Sequence, residues 1–344
     1  MKRKKDRWPT PGTHTQAQPA VASLLQRAAA ARAGGRLDEA ERLCRSALAL
    51  APSGVDSSQL LGVIVLQLGR PEEAIAVLSR AAELNPGRAQ AHGNLGTALL
   101  YVRRPEEALR HFQRALELDP RSAAVLNNQG NALRSLNRHA QAAESFRRLH
   151  ELEPGFDFAV GNRFRSLRHC CDWRDFERLR EQTLVALEAG ARFDRPFSLL
   201  SVTDSAALQR ACGGAYAAYL CPTAGEPLWK GERYGHDRLR VAYLSADFRD
   251  HVVSYVMAPL YERHDPGRFH TIGVGLAADD DSEISRRCKH ALGEFVSVAA
   301  LTDSQAAERL RSLEVDVAVD LTGFTEGCRP GILARRPAPV HVNL

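Results

Sequence analysis

The sequence predicts two folds in series, an α-helical repeat solenoid and then a parallel α/β half-domain. Three observations predict them. Four prolines, Pro52, Pro86, Pro120 and Pro154, stand 34 residues apart. Gly62, Gly96 and Gly130 keep the same interval, as do Ala40, Ala74, Ala108 and Ala142. After Pro154 the repeat register fades, and from Asp237 onward short apolar runs alternate with helix-length stretches.

A fixed period of 34 with small residues in register is the signature of a helix-turn-helix array of the tetratricopeptide type. Four repeats are expected, over 21–54, 55–88, 89–122 and 123–156. The glycines fall mid-way along each first helix, where glycine costs ~1 kcal/mol against alanine. Such a position is tolerated when the partner helix must approach closely. Pro71 and Pro105 open second helices and are followed by Glu72-Glu73 and Glu106-Glu107, acids that suit the positive end of the helix dipole. Asn85-Pro86 and Asp119-Pro120 stop those helices, because the residue before a proline is pushed out of helical geometry. Ahead of the repeats, residues 1–20 read as a disordered basic tail that supplies about all of the formal net charge of +5. Behind them, residues 157–235 read as a capping helix near 158–169 and a helical linker with stretches near 173–189 and 205–219.

Residues 236–344 read as a Rossmann-like half-domain. Strands are expected at 239–244, 269–276, 294–298, 315–321 and 340–344, with helices at 253–263, 281–292, 304–313 and 330–335 between them. This alternation means right-handed βαβ units and a parallel sheet. Ligands of such sheets bind at the carboxyl ends of the strands, so the loops after Leu244, Leu276 and Leu321 are where chemistry is expected. The final strand reads either as an edge that closes the domain or as the point where the domain is truncated, and the second reading is the expectation here.

Composition narrows the class. The chain is 44% hydrophobic and 25% charged, and no apolar run approaches the ~18 residues needed to cross a bilayer. The basic start, Met1-Lys2-Arg3-Lys4-Lys5, is not followed by an apolar signal core, which excludes an ordinary secretory signal. A cytoplasmic protein without membrane contact is expected. The seven cysteines form no C-x-x-C pair and read as reduced thiols, with Cys44 packed where later repeats carry Leu78, Phe112 and Phe146. The tail reads as a solubilising terminus, and no aromatic-interleaved basic face follows it, so no specific nucleic-acid partner is expected.

Three loops carry residues with chemical potential. The first, Ser245 to His251, holds Asp247, Arg249 and His251 at a strand-end crevice. Such a histidine can take or give a proton near neutral pH, although the loop also reads as a plain helix cap. The second holds Asp279-Asp280-Asp281, which resembles a metal and diphosphate motif but runs straight into the first turn of a helix, where acids belong electrostatically. The helix reading is the better one. The third, Asp320 to Pro330, offers Thr322, Gly323 and Thr325 as a cradle for an anionic or sugar ligand, without a dinucleotide or Walker pattern.

Three segments in this order, 239–251 (Leu-Arg-Val-Ala-Tyr-Leu-Ser-Ala-Asp-Phe-Arg-Asp-His), 315–325 and Arg336-Pro337-Ala338-Pro339-Val340, resemble the protein O-GlcNAc transferases and their bacterial and SPINDLY-type relatives. The segment at Cys171-Asp172-Trp173 is similar to the linker of bacterial members. The resemblance implies the first lobe of a two-lobe GT-B glycosyltransferase, inverting and metal-independent. It implies transfer of a sugar from a nucleotide diphosphate sugar, UDP-GlcNAc above all, to Ser or Thr of intracellular proteins, with no further cofactor. It places His251 at the family's essential histidine and Asp247, Thr322, Gly323 and Thr325 in donor- or acceptor-side loops. Val252 and Tyr255 stand where many members have proline and a second histidine. A lobe without its partner is expected to be inactive alone.

The alternative is a non-enzymatic adaptor whose repeats bind partner proteins beside a vestigial half-lobe. Asn94 and Asn128, each two residues before a repeat glycine, occupy equivalent first-helix positions. An amide can donate to and accept from one peptide unit. The pair therefore reads as a short ladder for an extended polypeptide, or else as two solvated polar residues. Gln26 and Leu60 fill the equivalent places in the earlier repeats.

Overall fold

The computed structural model describes residues 13–222, 225–278, 280–325 and 327–344. They divide into two compact units, one ending at Thr183 and one beginning at Leu184. The segment 157–235 is thus split between the units.

The first unit is a row of antiparallel helix pairs: α1 (Thr13–Ala33) with α2 (Leu37–Leu50), α3 (Val55–Gln67) with α4 (Pro71–Leu84), α5 (Ala89–Tyr101) with α6 (Pro105–Leu118), and α7 (Ala123–Ser135) with α8 (His139–Leu152). Helix α9 (Ala159–His169) packs on α8, and α10 (Phe176–Glu188) follows. The expected role of the glycines is visible as a clearance. A Cβ on Gly62 would lie 2.5 Å from Leu78, one on Gly96 2.6 Å from Phe112, and one on Gly130 2.6 Å from Phe146. In the first repeat the corresponding pair is Ala28 and Cys44, a larger small residue against a smaller large one, and both are fully buried. Burial pushes the Cys44 thiol up to about 11, as suits a packing residue.

Two expectations are corrected. Helix α1 already starts at Thr13, so the tail is shorter than 1–20, and residues 1–12 lie outside the described residues. The basic charge that marked the tail ends at Arg7, and the Ala- and Gln-rich stretch after it favours helix. The repeat register also does not fade at Pro154. Left-handed backbone closes the turn after each first helix at Gly35, Gly69, Arg103, Asn137 and Cys171, again 34 residues apart. Helix α9 is therefore the first helix of a further repeat. Its register was hidden because Phe164, buried in the core, replaces the repeat glycine.

The second unit opens with α11 (Pro196–Leu199) and α12 (Ala206–Leu220). Then come β1 (Leu239–Ser245), α13 (Val252–Glu262), β2 (Phe269–Gly275), α14 (Glu283–Ala291), β3 (Glu294–Ser297), α15 (Asp303–Ser312), β4 (Val317–Asp320), α16 (Pro330–Ala334) and β5 (Val340–Asn343). All pairings are parallel and the order is β3-β2-β1-β4-β5. Side chains alternate across β1. Val241 and Tyr243 join a core with Ala258, Tyr261, Ile284 and Cys288 of α13 and α14. Ala242 and Leu244 join another with Ala306, Ala307, Leu310 and Ile332 of α15 and α16. The sheet is covered on both faces, and the chain reverses its direction of travel across the sheet between β1 and β4.

Candidate active site

The reversal point matters because neighbouring strands there send their following loops to opposite sides, opening a crevice at their carboxyl ends. Loop 245–251 leaves β1 beside loop 321–329, which leaves β4. Hydrogen bonds and a close approach join them. The Ala246 N–H donates to Thr322 Oγ1 (3.1 Å), and a Cβ on Gly327 would lie 2.8 Å from that of Ala246. Gly327 also has φ +83°, so the position requires glycine twice over.

Within the first loop, Asp247 is buried and both Nε and a terminal nitrogen of Arg249 donate to its Oδ1, at 3.1 and 2.9 Å. Ser254 Oγ donates to the Asp247 carbonyl and ties the loop to α13. His251 is the N-cap of that helix, and its Nδ1 accepts the Val253 N–H at 3.3 Å. Asp247 Oδ2 lies 3.6 Å from the same nitrogen, too far for a hydrogen bond. With Nδ1 acting as acceptor, the neutral ring carries its proton on Nε2. The imidazole is about one-third exposed. The loop is a helix cap, as one of its two readings expected, and the cap fixes the tautomer of a partly exposed ring.

In the third loop, Asp320 Oδ1 accepts the N–H groups of Thr322 (2.9 Å) and Gly323 (3.2 Å), and Oδ2 accepts from Asn343 of β5 (3.2 Å). Burial pushes the Asp320 carboxyl above its ordinary value, and these three donors oppose that push. Thr325 Oγ1 donates to the Thr322 carbonyl at 2.7 Å, and Gly323 has φ +54°. Phe324 meets Tyr216 of α12 edge-on, with ring centroids 5.6 Å apart, so α12 braces this loop. The second loop is bound to the first as well. Asp280 Oδ2 accepts the Asp250 N–H (2.6 Å), and its Oδ1 accepts that of Ser282 (3.0 Å). Asp281 pairs with Arg286, and Asp279 lies outside the described residues.

Of the expected residues, Asp247 and His251 thus lie on the β1 loop, 3.6 Å apart at their nearest, and Thr322, Gly323 and Thr325 on the β4 loop, the two loops being joined through Ala246 and Thr322. Sequence reasoning gave no role to Asp320 or Asn343 and read Asp280 only as an acid at a helix start, whereas their carboxylate and amide groups organise the three loops. Asn94 and Asn128 lie in the other unit. There Asn94 Nδ2 donates to Gln59 (3.1 Å) and Asn128 Nδ2 to Thr97 (3.0 Å), each bond crossing between successive first helices. Asn162 of α9, 34 residues after Asn128, continues the series and accepts from Arg134 at 3.1 Å. The recurrence thus has a structural cause in linking repeats. One amide hydrogen of Asn94 and of Asn128 is engaged this way.

Residues 228–344 match the family described as Glycosyl transferase family 41. Residues 31–98 and 94–155 match two families described as Tetratricopeptide repeat. The chain resembles the protein O-GlcNAc transferases. Among curated relatives of that kind, the probable UDP-N-acetylglucosamine–peptide N-acetylglucosaminyltransferase SEC of Arabidopsis thaliana is 29% identical over 109 residues, 32% of this chain and 11% of that protein. The Caenorhabditis elegans enzyme of the same name is 26% identical over 189 residues, 50% of this chain and 16% of that protein. Among solved structures, the Thermobaculum terrenum O-GlcNAc transferase is 25% identical with a TM-score of 0.35, covering 98% of this chain and 51% of that one. Pseudomonas aeruginosa PilF, 20% identical with a TM-score of 0.50 over 63% of this chain and 95% of its own, shares the helical repeat fold. The chain thus spans a small part of the length of the curated transferases and about half of the solved one. No helix among the described residues is long and apolar enough to cross a membrane.

Proposed function

We propose that this chain serves a protein O-linked sugar transferase that moves N-acetylglucosamine from UDP-GlcNAc to Ser or Thr hydroxyls, with inversion and without a metal. The observation that carries this reading is the bonding of the β1 loop, which holds His251, to the β4 loop at the sheet's reversal point, within a segment matching glycosyl transferase family 41. In the displacement, the acceptor oxygen bonds to the anomeric carbon as the bond to the diphosphate oxygen breaks, and UDP leaves. With its proton on Nε2, His251 is suited to donate a hydrogen bond to an oxygen of the bound sugar or acceptor, more than to remove a proton. Asp247 and Arg249 hold the loop in which it sits. The repeats hold the protein substrate, with the Asn94 and Asn128 amides on the first helices that face it.

Because a lobe without its partner is expected to be inactive, the test joins this chain to a second GT-B lobe and compares transfer of labelled GlcNAc to acceptor proteins between the unaltered protein and His251→Ala. Loss of about 100-fold or more in the variant, with UDP-GlcNAc binding retained, is expected for a group acting in the transition state. Equal rates would sink the assignment of His251. Partner proteins captured by the repeats with no donor binding by residues 236–344 would leave the adaptor reading in its place.

A further inference from the structure

Within the third helix pair, His92 of α5 and His111 of α6 meet through their rings. Their Nδ1 atoms are 3.2 Å apart, with ring centroids 5.6 Å apart and planes inclined by 20°. His92 Nε2 lies 3.1 Å from the Pro86 carbonyl, at the end of the preceding repeat. A carbonyl oxygen only accepts, so His92 Nε2 carries hydrogen and the Nδ1 of the neutral ring is bare. His111 Nδ1 then supplies the hydrogen between the rings. Both residues are partly exposed, so solvent reaches the pair. Burial first, and then the charges of His92 and Arg110, hold His111 below the ordinary histidine value, with Glu107 opposing them. A neutral ring is the form that binds a metal.

The spacing suits a metal as well as a hydrogen bond. Two nitrogen ligands of one tetrahedral ion, with bonds of about 2.0–2.1 Å, stand about 3.3 Å from each other. The observed 3.2 Å needs little adjustment to match. A ligating imidazole characteristically donates its other N–H to a backbone carbonyl, which fixes the ring and its tautomer. Pro86 does this for His92. The hydrogen on His111 Nδ1 can move to Nε2, which bares the second ligand and takes no proton from the pair. We propose that His92 and His111 form a binding site for a transition-metal dication of the zinc and nickel class, held by the two Nδ1 atoms. Imidazole suits these ions, whereas magnesium seeks oxygen. No set of three or more histidine, cysteine or carboxylate ligands exists among the described residues, so water completes the coordination. Half the present separation is too short for a metal–nitrogen bond. The ion therefore sits beside the line joining the nitrogens, and each ring swings toward it. It ties α5 to α6 inside one repeat, and stands apart from the transferase reading.

The test is isothermal titration of the whole chain with zinc and nickel chlorides, with magnesium chloride as the control. His92→Gln and His111→Gln are each expected to weaken one site of the unaltered chain by about tenfold or more, with magnesium giving no such difference. Saturating nickel is expected to raise the melting temperature of the unaltered chain by about 5 °C more than that of either variant. Titrations of both variants that superimpose on those of the unaltered chain overturn the proposal, and leave the pair as a hydrogen bond between two helices. Should a variant melt early, the ring nitrogens of the unaltered chain can be followed directly by NMR as zinc is added. Movement of the Nδ1 resonances of His92 and His111 supports the site. Shifts confined to other histidines overturn it.

Discussion

Arg103 is an arginine in a glycine's place. Gly35 and Gly69 take the left-handed turn at φ +74° and +77°, and Arg103 takes the same turn at φ +58°. An L-residue with a bulky side chain pays steric strain there, which glycine avoids at some cost in unfolded-state entropy. Arg103→Gly is therefore expected to raise stability by about 0.5–1 kcal/mol, read as a higher midpoint in urea with an unchanged slope. A lower midpoint would show that the arginine's own contacts outweigh the strain. At this scale the sequence was half legible. Glycines at 35 and 69 announce the turn, but Arg103, Asn137 and Cys171 carry no such sign, and only their backbone shows the period continuing. Gly62, Gly96 and Gly130 were legible in full, because a glycine recurring inside a helix has few causes other than a close neighbour.

Among the elements, strand and helix ends fell within a few residues of their expected places, since apolar alternation and turn residues mark them locally. What locality cannot mark is the joining of loops. The bond from Ala246 to Thr322 links residues 76 apart, and so does not show in any window of sequence. The Thr322 hydroxyl is buried, so Thr322→Val keeps the shape and leaves the Ala246 N–H without an acceptor, a loss of about 1–3 kcal/mol. Its expected signature is a lowered melting temperature together with a reduced transfer rate, and Thr322→Ser restores both. A valine variant indistinguishable from the unaltered protein would show that the crevice does not need this bridge. The same reasoning explains why Asp320 and Asn343 went unnoticed: an Asp at a strand end is ordinary, and its partner arrives from the next strand over.

Across the whole chain, the two-unit organisation was legible because a 34-residue period and a βαβ rhythm cannot coexist in one fold. Its electrostatics were not. His111, His139 and His169 are all held below the ordinary histidine value, each first by burial and then by neighbouring positive groups. Above about pH 6.5 these rings are neutral in both the folded and the unfolded chain, and they make stability no function of pH. As pH falls through that value the unfolded chain binds protons that the folded one resists, so stability is lost. The melting temperature of the array is expected to fall between pH 7.5 and 5.5, and to fall less in His111→Gln. A melting temperature flat across that range would contradict the partial burial of His111 and His139.

The ring of charges on the outer helices gives the period a practical meaning. Glu41 and Arg45 of α2 close a four-membered circuit with Arg70 and Glu73, which open α4. Arg104 and Glu107 repeat that second pair 34 residues later. Excising residues 55–88 would bring them opposite Glu41 and Arg45, and a circuit of the same four groups would close again in an array one repeat shorter. Each glycine-to-large-residue contact lies inside a single repeat, from Gly96 to Phe112 for example, and would survive the cut. The array can therefore be shortened like a chain of identical carriages, its couplings interchangeable, and the reach of its inner row set by counting repeats.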